Sequence, residues 1–95
     1  MDVTHRIDKD ILYISIHGRI DASNAADAEQ EIFNIKQDHA QKHIVLDADL
    51  LEYISSAGLR VVLRLRKEDP HLAIINVAPE VYEVFDMTGF TDMVT

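Results

Sequence analysis

Residues 43–68 read HIVLDADLLEYISSAGLRVVLRLRKE, and this stretch decides the fold class. His43-Ile44-Val45-Leu46-Asp47 is a short apolar run following a helical pattern, the signature of a buried central strand. Asp49 to Ile54 reads as a connection with room for a brief extended piece. A helix is expected from about Ser56 to Glu68, with Leu59, Val62 and Leu63 on its inner face. Asp69-Pro70 ends it, because proline disfavours the helical conformation in the residue before it.

Working outward, the same alternation of strand and helix continues on both sides. Toward the N-terminus, a helix from about Ser23 to Gln41 repeats Ala25, Ala28, Ile32 and Ile35 at helical spacing, with Ser23 or Asn24 available as its cap. Before it, Val3, His5 and Ile7 share one face of a first strand. The polar turn Asp8-Lys9-Asp10 leads into Ile11-Leu12-Tyr13-Ile14-Ser15-Ile16, which ends at Gly18; the pair reads as a β-hairpin. Toward the C-terminus, Leu72-Ala73-Ile74-Ile75-Asn76-Val77 is another buried strand. Pro79 suits the first turn of a third helix with Val81, Val84 and Phe85 inward, Gly89 terminates it, and Phe90 to Val94 form a helix turn or edge segment. Strands alternating with helices predict an α/β layer structure with a mostly parallel sheet.

Composition narrows the function classes. Ninety-five residues, 47% of them hydrophobic, suit one domain over residues 1–95 with its own core. Nine basic against seventeen acidic side chains give a net charge of −8, which disfavours nucleic acid as a partner, since that affinity comes from neutralising phosphates. No cysteine is present, so disulfides, thiolate metal sites and thiol redox chemistry are out, in keeping with a reducing cytoplasm. Met1-Asp2-Val3-Thr4 opens without a basic segment and apolar run, so no signal peptide is expected. Apolar runs of a few residues fall far short of the ~20 that span a bilayer. A soluble, cytoplasmic protein without membrane contact is the expectation.

The chemistry-bearing feature is Tyr53-Ile54-Ser55-Ser56-Ala57-Gly58-Leu59, two serines and a glycine at a helix start. Capping is the commonest job of a serine there. The alternative is phosphorylation, which would set a charge of about −1.5 to −2 beside free N–H groups and the positive end of the helix dipole. The segment lacks the spaced glycines and lysine of an NTPase phosphate loop, and it is not Gly-x-Ser-x-Gly. A small serine hydrolase or phosphoryl-transfer enzyme using Ser56 is therefore the weaker alternative. His5, His17, His39, His43 and His71 are scattered without metal-ligand spacing, so no metal and no cofactor are expected. Arg60, Arg64 and Lys67 fall on one helix stripe with Arg66 beside it, either a solvated face or a strip for an acidic partner. Asp21 follows the second strand as a turn or cap former. Asp47 and Asp49 sit after the central strand, where they could line the same rim as the serines, although local hydrogen bonding suits them better.

Three stretches carry a resemblance. They are Gly18-Arg19-Ile20-Asp21 with Asn24-Ala25, Leu46-Asp47 leading into Tyr53 to Val61, and Asn76-Val77 with Val84 to Phe90. In this order the chain resembles STAS domains, specifically the stand-alone bacterial anti-sigma factor antagonists. The resemblance implies a single domain whose sheet of four to five strands carries helices mainly on one face. It further implies a non-catalytic partner switch. The unmodified protein binds an anti-sigma factor that is also a serine kinase, the kinase phosphorylates it with its own ATP, the complex parts, and a serine phosphatase resets it. In the family pattern Ser-x-Gly-Leu the modified serine is Ser56. Ser55, which stands where many relatives carry aspartate, is the alternative; Asp49 stands where a serine or threonine is common. Asp21, Asn24, Ser55, Ala57, Gly58, Arg60 and Arg64 are the expected partner-binding residues, on a monomer or weak dimer. A STAS scaffold or sensor that works without phosphorylation is the other reading of the resemblance.

Overall fold

In the computed structural model, which describes residues 1–95, the elements run β1 (Asp2–Asp8), β2 (Ile11–Ile20), α1 (Ala25–Asp38), β3 (His43–Asp47), β4 (Leu51–Ile54), α2 (Ser56–Glu68), β5 (Ala73–Ile75) and α3 (Pro79–Thr88), with a 3-10 turn at Thr91–Met93. The sheet has five strands, ordered β1-β2-β3-β5 with β4 on the far end of β2. Only the β1–β2 hairpin is antiparallel; the other three pairings are parallel. The α/β fold with a mostly parallel sheet is therefore as expected.

Alternation along the strands explains why the helices gather on one face. Ile14, Leu46 and Ile74 are in register across three strands, and all three are buried. Their neighbours Tyr13, Val45 and Ala73 are also in register, point the other way and stay half-buried. Val3, His5 and Ile7 pair with Ile16, Ile14 and Leu12, so they do share the helix-side face. They sit on an edge strand, however, and His5 and Ile7 remain exposed.

Two sequence expectations need correction. The segment after Asp49 is a true strand, β4, and β2 continues past Gly18 to meet it, Arg19 pairing with Tyr53 and Ile20 with Ile54. Gly18 makes this possible. Its φ of 88° lies in the left-handed region open to glycine, at the register shift where β2 leaves β1 and β3 for β4. On α2 the buried residues are Gly58, Leu59, Val61, Val62 and Leu65, while Leu63 lies on the flank. The last residues close the β5 edge: Val94 bridges Ile74, and the Thr95 N–H donates to the Ile74 carbonyl at 2.9 Å. No helix is long and apolar enough to cross a membrane.

Candidate functional site

The site forms where β2 and β4 end together. Ile20 and Ile54 are paired and buried, so the residues that follow them, Asp21 and Ser55, emerge side by side. The Ser55 N–H donates to the Ile20 carbonyl at 3.0 Å, locking the start of α2 to the end of β2. Ser55 has extended backbone angles (φ −89°, ψ 177°), and its hydroxyl accepts from the Gly58 N–H at 3.3 Å. That is N-cap geometry, and it satisfies one of the donors left open at a helix start.

Ser56 differs from its neighbour. As the first residue of α2 it is exposed, and its hydroxyl has no hydrogen-bond partner in the chain. Ala57 is half-buried and Gly58 buried. A β-carbon on Gly58 would lie 2.8 Å from Ile54 Cγ1 and 2.9 Å from Ile20 Cγ2, so this glycine sets how closely the helix start seats on the strand pair. Gly58, expected among the contact residues, thus sits beneath the surface and acts on it through packing.

The loop between β2 and α1 is organised by its own polar side chains. Asp21 Oδ1 accepts from both the Ser23 N–H (2.9 Å) and the Ser23 hydroxyl (2.6 Å). These bonds, the hydroxyl first, hold the Asp21 carboxyl below the usual carboxylate range, with Arg19 adding to the effect. Asn24 occupies the N-cap position of α1 without capping it; its side chain accepts from the Asp21 N–H (2.9 Å) and donates to the Arg19 carbonyl (3.0 Å). Asp21 therefore has the turn-forming role read from the sequence, and Asn24 braces the same loop.

Of the basic strip on α2, Arg64 is bound through its Nε and Nη2 to the two carboxylate oxygens of Glu29 on α1, which raises its pKa. Arg66 pairs with Asp92. Only Arg60 and Lys67 are without an acidic partner. Asp47 and Asp49 do not reach the serines. Asp47 pairs with Ser15, five residues before the Ile20–Ile54 pair, roughly 15 Å along β2. Its carboxylate accepts from the Asp49 N–H (3.1 Å) and Asn76 Nδ2 (3.0 Å), the local bonding that suited it from the sequence.

The surroundings of the serines are open surface. None of the hollows on the molecule is lined by Ser55 or Ser56. Four histidines form two ring pairs elsewhere, His5 with His39 at 5.6 Å and His43 with His71 at 6.2 Å between centroids. His17 Nε2 lies 3.0 Å from the Thr4 hydroxyl. The arrangement offers one open hydroxyl, that of Ser56, beside a serine whose hydroxyl is engaged.

Comparison with known proteins places this geometry in a wider group. The family model described as the STAS domain matches residues 2–95. A protein of Bordetella bronchiseptica named as an anti-sigma factor antagonist, BtrV, is 38% identical over 84 residues, covering 84% of this chain and 72% of that one. Among solved structures, an anti-sigma factor antagonist from Mycobacterium paratuberculosis superposes with a TM-score of 0.85 at 19% identity, covering 98% of this chain and 81% of the other. The anti-sigma factor antagonist SpoIIAA in its unphosphorylated form gives 0.79 at 19% identity, covering 99% and 86%.

Proposed function

The chain belongs to the STAS domain family, and from that premise we propose that it is an anti-sigma factor antagonist whose partner switching is controlled by phosphorylation of Ser56. Unmodified, it binds an anti-sigma factor that is also a serine kinase, with ATP held by that partner. In the switching step the Ser56 Oγ attacks the γ-phosphorus of ATP and an O–P bond forms. The bond between that phosphorus and the β,γ-bridging oxygen breaks, ADP leaves, and the hydroxyl proton passes to a base of the kinase. A serine phosphatase returns the chain to its binding state by hydrolysis. The protein itself is non-catalytic and works in the cytoplasm as a monomer or weak dimer.

One observation carries the choice of residue: Ser56 is exposed with an uncommitted hydroxyl, while Ser55 next to it is committed to capping α2. Modifying Ser55 would remove a cap; modifying Ser56 changes only the surface. The phosphate would stand at a helix N-terminus with no acidic residue in the first turn, an electrostatically favourable place for an anion. Asp21, Asn24, Ala57 and Arg60 then frame the partner contact around it. The closed β5 edge supports a chain that does not associate through that edge.

The test is calorimetric titration of candidate anti-sigma kinases from the same genome with the unmodified chain and with the chain phosphorylated at Ser56. Binding that weakens about tenfold or more on phosphorylation, a change of about 1.4 kcal/mol, supports the switch. Equal affinity in the two states would overturn it in favour of a scaffold role.

A further inference from the structure

The chain has five arginines, Arg6, Arg19, Arg60, Arg64 and Arg66, and the structure commits four of them. Arg6 lies over the Tyr13 ring at 3.9 Å and Arg19 over the Tyr53 ring at 4.3 Å from the centroid. Arg64 is held by Glu29 and Arg66 by Asp92. Arg60 is exposed and has neither a carboxylate nor an aromatic partner. It stands on α2 four residues after Ser56. Side chains at that spacing share a helix face, their β-carbons about 5–6 Å apart. An anion placed N-terminal to a cation is the favourable order for such a pair. The other positions three or four residues from Arg60 are Ala57, Leu63 and Arg64, so no acidic group on its own helix face competes for it.

We propose that Arg60 is the internal ion-pair partner of a phosphate on Ser56, folding back over the first turn of α2 to donate its N–H groups to the phosphate oxygens. The inference rests on Ser56 being the switch residue. A phosphoserine offers three oxygens to a guanidinium fork, which pairs with such groups in a bidentate manner. Phosphorylation would then change the partner surface twice over. It adds an anion, and it withdraws the one arginine that is free to meet a partner's acidic group. Because Arg64 and Arg66 are already neutralised within the chain, the α2 strip would be left with Lys67, at the far end of the helix, as its uncommitted cation.

The experiment uses the full chain with phosphoserine installed at position 56 during synthesis, so that no kinase enters the test. The second ionisation of the phosphate is followed by phosphorus NMR in the otherwise native chain, in Arg60→Gln and in Arg66→Gln. Arg60 favours the dianion, so its removal is expected to raise that ionisation by about 0.3–0.6 pH unit, the size of an exposed ion pair. The difference should collapse at about 1 M salt, and Arg66→Gln should leave the titration unchanged. Identical titrations in the native chain and Arg60→Gln would overturn the proposal, as would an equal shift in Arg66→Gln. Such a failure would leave Ser56 standing as the kinase target; a kinase that ignores Ser56 would instead remove the switch itself.

Discussion

Replacing Gly58 by alanine tests how the switch is seated. The added β-carbon would come within 2.8 Å of Ile54 Cγ1 and within 2.9 Å and 3.2 Å of Ile20 Cγ2 and Cγ1. Neither isoleucine can retreat easily, since they are 2% and 0% exposed and belong to a paired strand end. Two contacts under 3.0 Å put the overpacking in the upper part of the usual range, about 2–3 kcal/mol, and alanine's better helix propensity returns about 1 kcal/mol. The net loss is therefore about 1–2 kcal/mol. For a domain of this length that lowers Tm by roughly 4–16 °C. Scanning calorimetry reads Tm, and urea unfolding should show a lower midpoint with an unchanged slope. Truncating Ile54 to alanine first makes room, so Gly58→Ala should cost less in that background, an interaction a double-mutant cycle measures directly. An unchanged or higher Tm for Gly58→Ala alone would refute the packing argument.

Four further outcomes follow from the structure. Ser55→Ala should lose about 1 kcal/mol in urea unfolding, the usual cost of removing a cap. Ser56→Ala, which breaks no bond in the chain, should stay within about 0.5 kcal/mol of the native protein. Asp69→Ala removes the acceptor of the Ile44 and His71 N–H groups and should cost about 1–3 kcal/mol, read by the same method. In a carbon NMR titration Asp21 should ionise below the ordinary aspartate range, and Ser23→Ala should move it back up. Because that pKa is depressed, its contribution to stability is present above the ordinary aspartate range and fades as pH falls through the lowered value.

Much of the fold is legible in the chain because its elements are periodic. The three helices and the strands β2, β3 and β5 carry apolar residues at helical spacing or in short buried runs, and the structure has them where those patterns lie. β4 is different. Leu51 and Ile54 are buried at its ends while Glu52 and Tyr53 face outward, so it neither alternates nor forms a continuous apolar run. It exists because Gly18 lets β2 turn toward it, a tertiary cause with no local mark. The site divides the same way. Two serines before a glycine at a helix start are plain in the sequence, and so is the turn chemistry of Asp21, whose partners lie within three residues. That Arg64 is consumed by Glu29, thirty-five residues away, depends on how α1 packs against α2. That Ser55 caps while Ser56 stays open depends on one backbone turn at the end of β4.

A partner kinase is expected to modify the chain at Ser56. Purified chain incubated with candidate anti-sigma kinases and ATP, digested and mapped by tandem mass spectrometry, tests it directly. One phosphate should appear on Ser56, abolished by Ser56→Ala and retained in Ser55→Ala. Phosphate on Ser55, or a kinase that binds the chain yet leaves both serines bare, would contradict it.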